Sequence, residues 1–276
     1  MKELTPLPAA TVALVRDTSR GLEVLMLLRN YQSGFMPGTH VFPGGALDAA
    51  DHAVELHALC AGLDDAAASR ALGVERGGLA YWIAAVRESF EEAGLLLAYD
   101  AGGALVSLDN EAGGGRFRSH RDALNAGERE FSAMLRSEGL RLAADRLLYF
   151  SNWITPVGAL RRYDTRFFLA LAPERQLAAH DNREAIDHAW LRPAEALDRL
   201  ASGGIKMRTP TVKTLEQFAD YSTATALSAA LSAALRAQPR PPAILPRLKL
   251  DGGRLLPGDP GYEDPAPAGK QGEWKT

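Results

Sequence analysis

The stretch LAYWIAAVRESFEEAG, residues 79–94, constrains this chain more than any other. Trp82, Val86, Ser89, Phe90 and Ala93 recur at i, i+3, i+4 spacing, which predicts a helix with that stripe buried. Gly94 stands where a left-handed C-terminal cap belongs. On such a helix Glu88, Glu91 and Glu92 fall within roughly 100° of arc. Each like-charged pair at that spacing costs about 0.2–0.5 kcal/mol, and a helix C-terminus disfavours anions further. Arg87, at i, i+4 to Glu91, is the one cation on the segment able to relieve them. A solvated charged face would leave the conflict standing, whereas a divalent cation held by carboxylate oxygens resolves it.

The surrounding segments read as mixed α/β. TVALVR (11–16) and EVLMLLR (23–29), separated by DTSRG, predict a hairpin. YQSGFMPGTHVFPGG (31–45) predicts a loop, a short strand through His40–Phe42 and a tight turn at Gly44-Gly45. Residues 51–72 read as helical with a break near Ala61–Asp65, and Gly73–Gly78 as a loop. Asp100–Gly115, including GGG at 113–115, reads as a loop, and residues 121–139 as one amphipathic helix. LLYFSNWITP (147–156), TRFFLALAP (165–173) and AIDHAWL (185–191) predict strands, and PAEALDRLASG (193–203) a helix opened by proline. Two more helices reach about Arg236. ILPRLKL and GGRLLPG then suggest a last hairpin, and the final dozen residues are expected to be disordered. Strands and helices do not alternate strictly, which argues against a doubly wound sheet.

Composition narrows the function. A net charge of −3 offers no general attraction for nucleic acid or anionic membranes, so any phosphate recognition must be local. The single cysteine, Cys60, cannot form an internal disulfide, and the N-terminal residues lack the apolar core of a secretory signal. A cytoplasmic protein is the expectation. The sequence contains no GxSxG, GxxxxGK[ST] or GxGxxG motif. The six histidines show no metal-ligand spacing, and His40, His180 and His188 read as loop or packing residues. Trp82 and Trp153 read as core.

In these residues the chain resembles the Nudix hydrolases, whose box is written G-x5-E-x7-R-E-U-x-E-E-x-G-U, with U a bulky aliphatic residue. Arg87, Glu88, Glu91, Glu92, Gly94 and Leu95 match its second half. In VFPGGALDAAD, Gly45 and Asp51 match the first half, with aspartate in place of glutamate. Ser89 departs from the aliphatic position. Residues 52–86 stand between Asp51 and Arg87 where the pattern has seven, which leaves the role of Asp51 open. The stretches MLLRNYQSGFMPGTHVFPGG, SNWITPVGALRRYDTRFFLAL, HAWLRPAEAL and LLPGDPGY are similar to a subgroup that splits its box at the same place. That subgroup includes the animal peroxisomal coenzyme A diphosphatases.

The resemblance implies an α/β fold, the Nudix α/β/α sandwich with a mixed sheet. It implies one domain over residues 1–250, with helical insertions at about 52–78 and 116–140, and a Pro/Gly-rich tail over 251–276. The insertions are expected to lie over the site and wall it. The implied activity is a pyrophosphohydrolase that uses Mg²⁺ or Mn²⁺ held by Glu88, Glu91 and Glu92. Arg87 would hold Glu91 in its rotamer, and Glu91 or the loop residue Glu184 would take a proton from water. Gly44 and Gly45 would bring backbone close to the substrate, with Arg29 and the Arg161-Arg162 pair, Arg162 foremost, binding its phosphates. The implied substrate is coenzyme A or acyl-coenzyme A, cleaved to 3′,5′-ADP and (acyl-)phosphopantetheine. Another nucleoside diphosphate derivative, such as ADP-ribose or NADH, and a sensing module without catalysis both stay open. A homodimer is compatible with the sequence.

Overall fold

The structure, a computed structural model, describes residues 4–108, 111–249 and 253–263. Its first two strands, β1 (Leu7–Thr18) and β2 (Gly21–Arg29), form the expected hairpin, with only Ser19 and Arg20 left to turn. The strands outrun the polar signal because Glu23, buried on β2, is held by Arg16 and Arg20. Strand β3 (His40–Val41) continues antiparallel along β2, and β4 (Gly44–Ala46) pairs with β1. Gly44 and Gly45 are therefore strand residues, not a turn. A Cβ at Gly44 would meet the Ala10 carbonyl oxygen at 2.5 Å, so glycine lets the two backbones close.

A 3₁₀ turn (Ala49–His52) and the short helices α1 (Val54–His57) and α2 (Asp65–Leu72) lead to α3 (Leu79–Ala93). The α2 residues Asp65 and Ser69 accept hydrogen bonds from the backbone N–H groups of Gly77, Leu79 and Gly78. The inserted segment thus clamps the start of α3.

Strand β5 (Ala98–Tyr99) pairs with β6 (Arg141–Leu142), with α4 (Glu111–Asn125) and α5 (Phe131–Ser137) between them. The single helix expected over 121–139 is broken at Gly127, whose φ is 70°. Gly113–Gly115, expected in a loop, belong to α4. Each glycine costs a helix about 1 kcal/mol relative to alanine, and burial of Phe117 and Leu124 beside Phe90 overrides that cost.

The chain continues through β7 (Leu148–Ile154), β8 (Tyr163–Leu171) and β9 (Ala185–Leu191) to α6 (Pro193–Ala201), α7 (Thr209–Phe218) and α8 (Ala224–Ala237). It ends in the short strands β10 (Ala243–Ile244), β11 (Arg247–Leu248) and β12 (Arg254–Leu255). The β11/β12 pair is the last hairpin expected from the sequence. The residues expected to be disordered lie outside the described ones.

The main sheet runs β10-β7-β8-β1-β2-β3, with β4 also on β1 and β9 also on β2. It is mixed, since β1/β8 and β7/β10 are parallel and the other pairs antiparallel. Val12 and Leu14 face a core built with α2, α3, α4 and α5, while Ala13 and Val15 face α6, α7 and α8. Burial on both faces explains why the strands read as continuous apolar runs. Each fully buried side chain such as Phe90 or Phe218 contributes roughly 1.5–3 kcal/mol. This is the α/β/α sandwich the resemblance implied. Among the described residues no helix is long and apolar enough to cross a membrane.

Candidate active site

Helix α3 is packed on nearly every side, well beyond the one stripe its periodicity predicts. Glu88 and Glu91 are its only residues that escape full burial. Gly94 ends the helix at φ 69°, its N–H donating to the Phe90 carbonyl. Ser89 explains its own departure from the box: its buried hydroxyl donates to the Leu95 carbonyl at 2.7 Å and secures the same terminus.

Arg87 organises the acidic cluster. Its Nη1 donates to Glu88 at 2.8 Å and to Glu91 at 2.9 Å. Its Nε and Nη2 each reach a different oxygen of Asp51 at 2.9 Å, and Nη2 also donates to the Ala46 carbonyl. Asp51 is completely buried, and its Oδ2 accepts the Asp48 N–H. The two halves of the interrupted box therefore meet in space.

Backbone comes close to the carboxylates at the two glycines. The Gly44 N–H donates to Glu92 Oε2 at 2.9 Å, and a Cβ on Gly45 would stand 2.5 Å from Glu88 Oε1. Glu92 is enclosed, and among the described residues the cation within 4 Å of it is Arg29, whose Nη1 lies at 3.8 Å. Glu88 and Glu91 open onto a cavity of about 1070 Å³.

The electrostatics match this crowding. Burial pushes the Glu88 carboxyl up to about 7, against the pull of Arg87 and with the push of Glu91. Burial also raises Glu91, again opposed by Arg87. Glu92 is raised well above the usual carboxylate range by burial and by Glu88, with the Gly44 N–H and Arg29 acting the other way. For Arg87, burial works to lower the pKa, but the Asp51 bond and the charges of Glu88, Asp51 and Glu91 raise it. All three glutamates cannot ionise comfortably on protein counter-charge alone. Their oxygen-only donors fit a hard divalent cation such as Mg²⁺ or Mn²⁺.

The structure brings other anticipated residues to the same cavity. Arg29 Nη2 lies 3.5 Å from Glu184 and donates to Ser33, while its buried Nε has no hydrogen-bond partner. Glu184 is largely exposed, on a loop braced by Asp181, whose carboxylate accepts from the N–H groups of Arg183, Glu184 and Ala185. Trp153 is buried and also forms part of the cavity wall.

Two expectations are corrected. Arg162 is not brought to the site: it is buried, and its guanidinium donates to the carbonyls of Thr155 and Leu4. Arg161, the other member of the candidate pair, does line the cavity, since adjacent residues entering β8 point to opposite sides. The inserted helices do not wall the site. Residues 32–37, 153–156, 159–161 and 208–211 do, while α1 and α2 fill the core against α3. His180, in a loop, packs on His188 of β9 in keeping with their reading as loop or packing residues, and the pair brings Nδ1 to Nδ1 at 2.9 Å beside Asp187, ligand-type atoms lying within 4.8 Å of one another. A pairing across the turn into β9 leaves no local spacing to read. Sequence reasoning also passed over Asp48, 3.7 Å from Arg87, and Arg208 and Arg254 on the cavity wall.

Comparison with known proteins agrees with this geometry. The family described as NUDT19 Nudix domain matches residues 64–218, which include all three glutamates of α3 and Glu184. A human protein named acyl-coenzyme A diphosphatase NUDT19 is 32% identical over 88% of this chain and 73% of its own length. The chicken protein of that name is 32% identical over 73% of this chain, which spans only 62% of that relative. The crystal structure of a Nudix hydrolase from Alicyclobacillus acidocaldarius superposes with a TM-score of 0.67 at 26% identity, covering 81% of this chain and 96% of that one. With its interrupted box reassembled around Arg87, this chain belongs to the NUDT19 Nudix domain family of Nudix hydrolases.

Proposed function

We propose that this chain cleaves the diphosphate of coenzyme A or acyl-coenzyme A, releasing 3′,5′-ADP and (acyl-)phosphopantetheine. The observation that carries this reading is similarity along most of the chain to relatives named acyl-coenzyme A diphosphatases. The cavity supports it. Its volume lies at the upper end of small-molecule pockets, roughly 300–1,000 Å³, as a long substrate requires. Arg29, Glu88 and Glu91 supply a polar floor, while Phe35, Met36, Pro156 and Leu160 supply an apolar wall suited to a pantetheine or acyl chain.

Glu88 and Glu91, with Glu92 enclosed behind them, are the residues that would hold Mg²⁺ or Mn²⁺. Such an ion, when bound, neutralises charge on the diphosphate and lowers the pKa of water. Arg29, adjoining Glu92 and Glu184, orients a diphosphate oxygen. Glu184 is the exposed carboxylate at the rim and takes the proton from the attacking water. Arg87 is a positioning residue that fixes Glu88 and Glu91.

The test is a panel of coenzyme A, acyl-coenzyme A, ADP-ribose and NADH, each with Mg²⁺ or Mn²⁺ and purified protein. Preferred release of 3′,5′-ADP supports the reading. Preferred release of AMP from ADP-ribose or NADH overturns it.

A further inference from the structure

Two arginines on the cavity wall take no part in the chemistry described above. Arg208 immediately precedes α7, and Arg254 opens β12, so distant parts of the chain bring them to one cavity. The cations that act most on Glu88, Glu91 and Glu92 are Arg87 and Arg29, and no ion pair within 4 Å joins Arg208 to any of the three. Arg208 keeps a buried Nε without a hydrogen-bond partner, and among the described residues no carboxylate forms an ion pair with it. The two guanidiniums also feel each other. Burial lowers the Arg254 pKa, and the positive charge of Arg208 lowers it further.

Like charges gathered in a cavity wall are stabilised by an anion that both can bind. Thr209, Pro210 and Thr211 line the cavity directly after Arg208, and the threonine hydroxyls add hydrogen-bonding capacity. The substrate's diphosphate must lie at the glutamates, where it is cleaved. A second anion-binding wall therefore calls for a ligand with a second anionic group, separate from the diphosphate. ADP-ribose and NADH have none. Coenzyme A has one, the 3′-phosphomonoester on its ribose, and guanidinium forks suit a phosphate dianion.

We propose that Arg208 and Arg254 form a subsite for the 3′-phosphate of the substrate's adenosine moiety and so select coenzyme A derivatives over other nucleoside diphosphates. The inference rests on the coenzyme A reading given above and assigns that preference to named residues.

The experiment compares coenzyme A with 3′-dephospho-coenzyme A as substrates of the full chain with Mg²⁺. The proteins are the wild type, Arg208→Ala, Arg254→Ala and the double variant. The wild type is expected to prefer coenzyme A in kcat/KM by about tenfold or more, mainly through KM. The double variant is expected to bring the two substrates level by losing only the coenzyme A advantage. Its unchanged turnover of dephospho-coenzyme A doubles as the control for folding. Equal cleavage of both substrates by the wild type overturns the subsite and leaves the coenzyme A reading standing, as does a parallel loss on both substrates in the variants. Cleavage of neither substrate overturns the coenzyme A reading, and the subsite falls with it.

Discussion

Asp51 and Arg87 lie 36 positions apart in the chain and meet in a two-pronged ion pair, each contact 2.9 Å long. The helical segment between them loops out and returns without disturbing the pair. Arg87 divides its guanidinium between this structural anchor and the two glutamates that open onto the cavity. Folding and active-site geometry therefore depend on the same side chain.

Replacing Asp51 with alanine leaves the Arg87 charge buried with one flank unmatched. Breaking a buried pair from one side costs about 3–5 kcal/mol, so urea unfolding should show a loss of that order. An unchanged midpoint would show that the pair contributes nothing to stability.

Glu88→Gln should separate stability from activity. The substitution removes a carboxylate that burial and Glu91 make costly to ionise, so the thermal midpoint in chelator should hold or rise. Turnover should fall by about 10²-fold or more, because an oriented charge at the diphosphate is lost. Comparable turnover in the variant would remove Glu88 from the site.

Stability in chelator should depend on pH through the same carboxyl. Between the ordinary glutamate value of 4.5 and about 7, folded Glu88 keeps a proton that the unfolded chain has already lost. The folded state binds more protons in that window, so stability falls as pH rises through it. Mn²⁺ or Mg²⁺ held as proposed would supply counter-charge to the ionised form, so thermal melts at pH 8 should recover with added ion. A melting temperature that rises from pH 5 to pH 7 in chelator would contradict the crowding described for the cluster.

The two glycines of β4 should fail in different ways. A Cβ on Gly44 meets Ala10 and Thr11 backbone at 2.5 and 2.7 Å, so Gly44→Ala should cost stability, about 1–3 kcal/mol, by overpacking. The three atoms nearest a Cβ on Gly45 all belong to the Glu88 carboxylate, the mobile end of a side chain. Gly45→Ala should therefore fold nearly as well while displacing Glu88, and displacements on this scale can cost up to about 10²-fold in rate. Chemical unfolding and turnover measured on both variants check the contrast.

Local chemistry was enough to read the β1/β2 hairpin, helix α3 with its glycine stop, and the incompatible trio of Glu88, Glu91 and Glu92. Hydrophobic period, capping and like-charge spacing act over a few residues and leave their mark in adjacent letters. The role of Asp51 was not legible, because the partner that neutralises it is distant in sequence and the intervening length carries no record of where the chain returns. The choice of Arg161 over Arg162 for the cavity, the strand conformation of Gly44-Gly45 and the meeting of His180 with His188 depend on strand register and on which face each residue takes. The helical state of Gly113–Gly115 depends on packing energy from Phe117 and Leu124 that outweighs local preference. The sequence alone determined that three carboxylates crowd one face at the end of helix α3 with a single arginine beside them, because helical period and spacing are local. The tertiary structure decided which buried partner holds them and which arginines line the cavity, because those contacts exist only once the sheet has closed between its two helical layers.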